Sequence, residues 1–168
     1  MISVVYDNLN VIKKLGVKMS YKIERTTTEN SDFKILEQKL DDELYQIYGE
    51  MQNNYSSHNT VSDLQTIIVY KDNNLVACGC LKILDTDLAE VKRIFVCQNN
   101  RGKGISEIIV NEIEKLAVES KIKTLILQTG SKQNAAINLY KKMGYTLIEN
   151  YGPYVYDNNS VCMKKTLV

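Results

Sequence analysis

The order in which three predicted strands run into a glycine-bearing turn and a helix constrains the fold more than any other feature of this sequence. The strands correspond to LQTIIVY, LVACGCLKIL and LAEVKRIFV, with the tight turn K-D-N-N between the first two. The turn QNNRGKG follows, and ISEIIVNEIEKLAVES then places apolar residues on one helical face. A meander that leads into such a helix predicts a mixed sheet covered by helices, not a uniformly doubly wound one.

The flanking segments add further elements. The segment YKIERTTT predicts a strand. Ser31 is the predicted N-cap of the next element, and the spacing of the apolar residues from Phe33 to Ile47 predicts an amphipathic helix. KTLILQT predicts a buried strand, residues 134–143 a second helix closed by Gly144, and TLIEN with SVCMKK a hairpin around a longer loop. We therefore predict an α+β fold with one domain over residues 21–168. Residues 1–20 lack a clear period and form an N-terminal extension, either an extra strand or a disordered leader.

Charge and hydropathy exclude several partners. The chain has 168 residues, with 21 Lys and Arg against 20 Asp and Glu, so a broad phosphate-binding face is not expected. No apolar run approaches the roughly 20 residues needed to cross a bilayer, and the first 20 residues carry charges inside any signal core. We expect a cytoplasmic protein that binds neither nucleic acid nor membrane.

The cysteines predict no metal site. Cys78, Cys80, Cys97 and Cys162 lie in apolar stretches, His58 is the only histidine, and no second C-x2-C pair is present. Buried free thiols are the expected state in a cytosolic protein.

Residues 96–106, VCQNNRGKGIS, carry the chemistry. Gly102 and Gly104 allow a ligand close to the backbone, and a helix that begins there directs unpaired N–H groups at an anion. Arg101 and Lys103 add positive charge. The P-loop pattern fails because Gly104 follows Lys103, and the dinucleotide pattern fails because Glu107 replaces the third glycine. A plain turn with solvent-facing basic residues is the alternative.

Two motifs in order give this segment a family resemblance. Val96 ends a strand and is followed by N-x-x-G-x-G over residues 99–104, while residues 101–106 read R-G-x-G-I-S. About thirty residues later, Ala136, Leu139-Tyr140 and Gly144-Tyr145 match A-x-x-L-Y-x-x-x-G-[FY]. The sequence resembles the GNAT superfamily of acetyl-CoA-dependent N-acyltransferases, with similarity to a small bacterial subgroup. It departs from the pattern at two positions. Asn99 replaces Gln or Arg in the first motif, and Gln133 occupies the opening asparagine position of the second motif, with Asn134 one place later.

The resemblance implies a central, mostly antiparallel, twisted mixed sheet of about six to seven strands flanked by helices. It also implies acetyl-CoA as co-substrate and no metal. The strand end would pair with the pantetheine arm, the turn would hold the pyrophosphate, and Asn134 or Gln133 would bond the pantetheine. The implied cofactor-binding residues are Ile94, Phe95, Val96, Arg101, Gly102, Lys103, Gly104, Ile105, Ser106 and Asn134.

The resemblance also implies catalytic roles. Tyr140 would protonate the departing coenzyme A thiolate, although an aromatic residue on an inner helix face can equally be a core residue. Glu90 would be the general base, since strand alternation places Glu90, Lys92, Ile94 and Val96 on one face. A structural ion pair with Lys92 or Arg93 is the alternative. His58, Tyr151 and Tyr154 are outer candidates for the acceptor pocket.

These features favour acetyl transfer to a primary amine of a small molecule or peptide by direct attack in a ternary complex. Cys97 has no histidine near it in sequence, so a covalent intermediate is not expected. The alternative functions are a non-catalytic acyl-CoA-binding module and, against the charge balance, a nucleic-acid binder.

A monomer or homodimer is expected. Four acidic residues of the first helix either steer a cationic amine or form a solvated face: Glu37, Asp41, Asp42 and Glu43.

Overall fold

The sheet is the frame of the molecule. The computed structural model describes residues 2–4, 21–52 and 64–167, and within these ranges eight strands form one sheet in the order β1-β2-β3-β4-β5-β6-β8-β7. Their bounds are β1 Ile2–Val4, β2 Tyr21–Thr27, β3 Gln65–Lys71, β4 Asn74–Ile83, β5 Leu88–Val96, β6 Thr124–Gly130, β7 Thr146–Ile148 and β8 Ser160–Thr166. Only β5 and β6 are parallel among these strand pairs. The predicted mixed, mostly antiparallel sheet is confirmed, and β1 adds a strand from the segment whose role was left open.

Three α-helices cover the two faces of the sheet within the described part of the chain. They are α1 Ser31–Tyr48, α2 Ile105–Glu119 and α3 Asn134–Lys142. The buried residues of α2, such as Ile109 and Ile113, pack with Ala77 and Leu81 in the larger core cluster. Phe33, Leu36 and Leu40 of α1 pack on the opposite face in the smaller cluster. The sheet is therefore buried on both faces where its central strands lie.

The start of α1 corrects one sequence prediction. Asn30, not Ser31, is the N-cap, because its Oδ1 accepts from the backbone N–H of Asp32 at 2.8 Å and of Phe33 at 3.4 Å. Both residue types cap helices well, so composition alone did not distinguish these neighbours.

The predicted turns have the expected backbone. Asp72 and Asn73 have φ of 49° and 61°, as a two-residue hairpin with both central residues left-handed requires. Gly144 has φ of 88° directly after the C-cap of α3, so the predicted glycine stop of this helix is confirmed.

Within residues 2–4, 21–52 and 64–167, no helix is long and apolar enough to span a bilayer. All four cysteines are free, and Cys78, Cys80 and Cys162 are buried. Burial raises the pKa of the Cys80 thiol to about 12, which keeps it protonated and unreactive.

A fork between β5 and β6 positions the candidate site. The parallel pairing covers only Leu88 to Val91 on β5 and Thr124 to Leu127 on β6. Beyond these residues the two strands are no longer paired. The fork opens toward the end of β5, which runs directly into the glycine-bearing turn.

Candidate active site

A β-bulge at Arg93 shapes β5 at the fork. Lys92 pairs with Cys80 and Phe95 pairs with Cys78, so β5 has one more residue than β4 between these pairs. Arg93 has φ of 59°, a left-handed value that is uncommon for a residue with a side chain. The bulge changes which face of the sheet each later side chain occupies.

The bulge overturns the predicted shared face of Glu90, Lys92, Ile94 and Val96. Ile94 packs against the larger core cluster, on the α2 side of the sheet, and Val96 belongs to that cluster. Glu90 and Lys92 alternate with core residues of that cluster and lie on the opposite face, where they form an ion pair. The prediction from strand alternation was wrong because the extra residue of the bulge switches the side chains that follow Lys92 to the other face of the sheet.

Arg93 fastens the bulge to α1. Its guanidinium donates from Nη1 to Asp41 Oδ1 at 2.8 Å, and Nη2 lies 3.2 Å from Glu37 Oε1, with only 4% of the side chain exposed. Burial alone would lower the pKa of Arg93, but the hydrogen bond to Asp41 and the charges of Asp41 and Glu37 raise it. Two of the four acidic residues of α1 therefore pair with a buried arginine, although the Asp41 side chain remains 43% exposed.

The main chain at the end of β5 has a free edge. Cys97 N–H donates to Val76 O at 2.8 Å, toward β4. Because alternate residues of a strand direct their N–H and C=O groups to opposite edges, those of Ile94 and Val96 face the fork. Phe95 pairs with Cys78, and its side chain is buried beneath α1 in the smaller cluster.

The turn after β5 leaves room at its glycines. Gly102 and Gly104 have φ of 72° and 77°, and a Cβ added to either would meet no atom within 4 Å. Gly104 is the N-cap of α2, so the first N–H groups of the helix point to the turn's open side. Ile105 is buried in the core and anchors this helix end, whereas Ser106 is partly buried.

The two basic residues of the turn differ in what they bind. Arg101 donates from Nε to Val96 O at 2.9 Å, and its Nη2 forms an ion pair with Glu43 of α1. Lys103 donates to the neutral carbonyl of Asn99 at 2.7 Å and is exposed. Of the two, Lys103 offers its charge to solvent, while Arg101 connects the turn to α1.

A cavity of about 140 Å³ lies in the fork. Its walls come from α1, from β5 and β6 and from the first turns of α3, with Tyr154 and Asn159 contributed by the segment between β7 and β8. The lining combines apolar side chains, such as Leu40, Leu44 and Leu139, with polar ones. The polar and charged lining residues are Glu90, Lys92, Arg93, Gln128, Thr129, Gln133 and Asn159.

Tyr140 lines this cavity from α3. Its ring packs edge-on against Tyr145, with centroids 5.6 Å apart, and the residue is 6% exposed. Burial raises the pKa of Tyr140 well above its ordinary value, so the phenol stays protonated throughout the physiological range. A protonated hydroxyl at a cavity wall can donate a proton.

Glu90 is held between two partners. Tyr151 Oη donates to Glu90 Oε1 at 2.9 Å, and Lys92 Nζ lies 3.4 Å from Oε2, with both charged side chains under a tenth exposed. Burial, followed by the Glu90 charge and this hydrogen bond, raises the pKa of Tyr151. The structure thus contains the ion pair foreseen as the alternative role of Glu90, and it also places the carboxylate at the cavity wall.

Gln133, not Asn134, occupies the cavity side at the start of α3. Gln133 is the N-cap, lines the cavity, and accepts at Oε1 from Gly130 N–H at 2.8 Å and from Thr129 Oγ1 at 3.0 Å. Asn134 is exposed and is not among the lining residues. The register in which Gln133 replaces the motif's opening asparagine therefore agrees better with the geometry.

Comparisons with known proteins decide the family. The model of the Acetyltransferase (GNAT) family matches residues 25–145, most of the chain. The chain belongs to the GNAT family. An IAA acetyltransferase from Azospirillum brasilense is 32% identical to this GNAT protein over 134 residues, which cover 77% of this chain and 87% of that enzyme.

Solved structures agree with this assignment. A Klebsiella pneumoniae protein whose name places it among the acyl-CoA N-acyltransferases has a TM-score of 0.74 at 26% identity, covering 88% of this chain and 98% of that one. A GNAT family acetyltransferase from Elizabethkingia anophelis, solved with acetyl-CoA bound, has a TM-score of 0.63 at 18% identity over 88% and 98% of the two chains, a likeness of fold. The predicted family, fold and acyltransferase class are confirmed.

Sequence reasoning missed part of this GNAT site. It did not single out Tyr48, Gly130 or Gln128, which line the cavity. Tyr48 on α1 and the two residues on β6 come together only through the way α1 crosses the sheet. A glycine at the end of β6 was the one available signal, since glycine in a strand often marks a close approach. His58, an outer candidate, lies outside the described residues.

Proposed function

We propose that this protein transfers an acetyl group from acetyl-CoA to a primary amine by direct attack in a ternary complex. One observation carries the proposal: a single fork joins a free strand edge, a glycine-bearing helix start and a cavity with a protonated tyrosine. The family accounts for acyl-CoA-dependent transfer, and the residue roles below are our assignment.

The cofactor-binding role rests on backbone groups. The space around Gly102 and Gly104 that a Cβ would enter is open, so phosphate oxygens can approach the N–H groups of residues 101–106. The main-chain groups of Ile94 and the N–H of Val96 face the fork and suit the amides of a pantetheine arm, as in strand addition, whereas Val96 O already accepts from Arg101. Of Asn134 and Gln133, the two candidates for the bond to the pantetheine, we choose Gln133 because it lies at the cavity wall.

Tyr140 is our candidate general acid. An N–H group on the free edge of β5 would polarise the thioester carbonyl and stabilise the oxyanion that forms when the amine attacks. As the carbon–sulfur bond breaks, the Tyr140 hydroxyl would give its proton to the thiolate. Burial raises the pKa of Tyr140, so the phenol carries this proton at neutral pH, as an unperturbed tyrosine also would.

Glu90 is our candidate base. An alkylammonium with a pKa of about 10 must lose a proton before its nitrogen can attack. Lys92 and Tyr151 hold the Glu90 carboxylate at the cavity wall, so it would accept that proton directly or through a water molecule. Direct attack is supported by the lining, which among the described residues contains no cysteine or serine.

The acceptor is a small-molecule or peptide amine in this proposal. Four free thiols suit a reducing compartment, so we place the reaction in the bacterial cytoplasm. We propose a monomer or homodimer in which residues 21–168 form the catalytic domain and β1 extends its sheet.

The Glu90→Gln variant tests the base. Acetylation should slow by about 10²- to 10⁴-fold at neutral pH and recover as the pH approaches the pKa of the amine, because free amine then forms in solution. Tyr151→Phe removes one of the two groups that hold the carboxylate but keeps the base itself, so its rate should fall much less than that of Glu90→Gln. If the Glu90→Gln variant had the wild-type rate and pH profile, Glu90 would not be the base and its role would be structural.

A further inference from the structure

The side chain of Tyr48 bridges the two sides of the cavity. Tyr48 ends α1, is 8% exposed, and accepts at Oη from the backbone N–H of Lys132 at 3.2 Å. The ammonium of Lys132 lies 5.5 Å from the centroid of the Tyr48 ring, a cation–π distance. Lys132 belongs to the turn between β6 and α3, so this side chain connects α1 to the far side of the fork.

Gly130 makes this bridge possible. A Cβ at this position would overlap the Tyr48 hydroxyl oxygen and lie 2.6 Å from Cζ. Gly130 is not among the glycines with positive φ, so its backbone conformation does not call for glycine. What requires glycine here is the close approach of the Tyr48 ring.

Tyr48 is one wall of the cavity, whose volume is about 140 Å³. An apolar cavity of roughly 150 Å³ accommodates benzene, so this volume is of the order of one small molecule. Leu40 and Leu44 continue the α1 wall beside Tyr48 and add no polar group for a large polar acceptor. A slender amine fits this space, whereas a cage-shaped or multi-ring amine would have to displace Tyr48.

We propose that Tyr48, seated on Gly130, sets the size limit of the acceptor site, so that the enzyme acetylates small, slender primary amines and rejects bulky ones. This inference rests on the proposed acetyl transfer, and it narrows the acceptor class by size. Tyr48 is a specificity-determining residue in this scheme, and Gly130 is a positioning residue that acts through it.

A double-mutant cycle tests the size limit with two primary amines of different bulk, n-butylamine and adamantylmethylamine. The wild type should prefer n-butylamine in kcat/KM by more than about tenfold. Tyr48→Ala should raise kcat/KM for the bulky amine by about tenfold or more and change that for n-butylamine much less. Gly130→Ala should shift selectivity in the same direction, because its Cβ displaces the ring.

The two substitutions should not add. Since Gly130 acts only through the Tyr48 side chain, Gly130→Ala in the Tyr48→Ala background should have no further effect on selectivity. Tyr45→Ala is the matched control, because Tyr45 lies on the same helix with 52% of its surface exposed. Equal use of both amines by the wild type, unchanged selectivity in Tyr48→Ala, or additive effects would each overturn the proposal.

Calorimetric binding of the same amines to the CoA-saturated protein separates the two proposals. Size-selective binding that Tyr48→Ala relaxes supports the size limit even if no amine is acetylated, and that result would refute acetyl transfer alone. Equally tight binding of both amines by the wild type would refute the size limit even if both are acetylated.

Discussion

Gly79→Ala perturbs the core directly behind the bulge. Gly79 lies on β4 between the residues that pair with Lys92 and Phe95, and a Cβ there would approach Ile94 Cδ1 at 2.5 Å, Ile109 Cγ2 at 2.6 Å and Ile113 Cδ1 at 2.9 Å. Normal carbon contacts are about 3.5–4.0 Å, so three side chains must move by roughly 1 Å. Overpacking of this kind costs about 1–3 kcal/mol, and three simultaneous contacts favour the upper half of that range.

The net cost should be about 2 kcal/mol. A lower entropy of the unfolded alanine chain offsets about 0.5 kcal/mol of the overpacking. For a chain of this length, each kcal/mol shifts Tm by about 2–4 °C, so Tm should fall by about 4–8 °C. Urea unfolding should give a lower midpoint with the same slope.

Ile94→Val is the control for this mechanism. It removes Cδ1, the atom nearest to the added methyl group. Alone it should cost about 0.5–1.5 kcal/mol, but in the Gly79→Ala background it should cost almost nothing because it also relieves the clash. Additive losses, or a Gly79→Ala variant as stable as the wild type, would refute the reasoning about this contact.

Three further predictions concern the site. Tyr140→Phe should lower kcat by about 10²- to 10⁴-fold with little change in Tm, because the ring still packs on Tyr145; an unchanged rate in steady-state assays would exclude Tyr140 as the acid. Burial raises the pKa of Tyr140, Tyr145 and Tyr151 above the unfolded value of about 10, so the folded state holds more protons above that pH. These three groups should therefore leave the free energy of unfolding unchanged below about pH 10 and lower it above that pH. Urea unfolding across that range would detect the fall, and a constant urea midpoint above pH 10 would contradict the raised pKa values. Arg93→Met should cost about 2 kcal/mol in urea unfolding, less than for a fully buried pair because Asp41 still reaches water, and unchanged stability would show that the ion pair contributes nothing.

Local patterns predicted the elements whose causes are local. The two glycines of the turn, the stop at Gly144 and the Asp72-Asn73 hairpin each follow from backbone conformations that few residues adopt, so sequence alone located them. The alignment of Tyr140 with a short motif likewise placed it on a helix, and the structure brings it to the cavity.

Features decided by contacts between distant segments were not predictable in this way. The bulge at Arg93 depends on how β5 pairs with β4, and alternation along β5 alone does not show where that pairing shifts by one residue. The Tyr48 bridge depends on where α1 ends above β6. Gly79 and Gly130 mark both places, but a glycine does not identify the side chain that approaches it.

The acidic face of α1 is another nonlocal outcome. Glu37, Asp41 and Glu43 share a helix with no sequence signal for their partners, and in the fold they meet Arg93 and Arg101. These pairs connect α1 to the bulge and to the glycine-bearing turn.

The most direct test of the proposed activity is thiol release from acetyl-CoA by the purified full chain, measured with and without n-butylamine alongside mass spectrometry of the amine. Acetyl transfer in a ternary complex predicts that acetyl-CoA raises Tm, that thiol release depends on the amine, and that one acetylated amine forms per thiol. Failure of saturating acetyl-CoA to stabilise the protein, together with no amine-dependent thiol release for any primary amine, would contradict it.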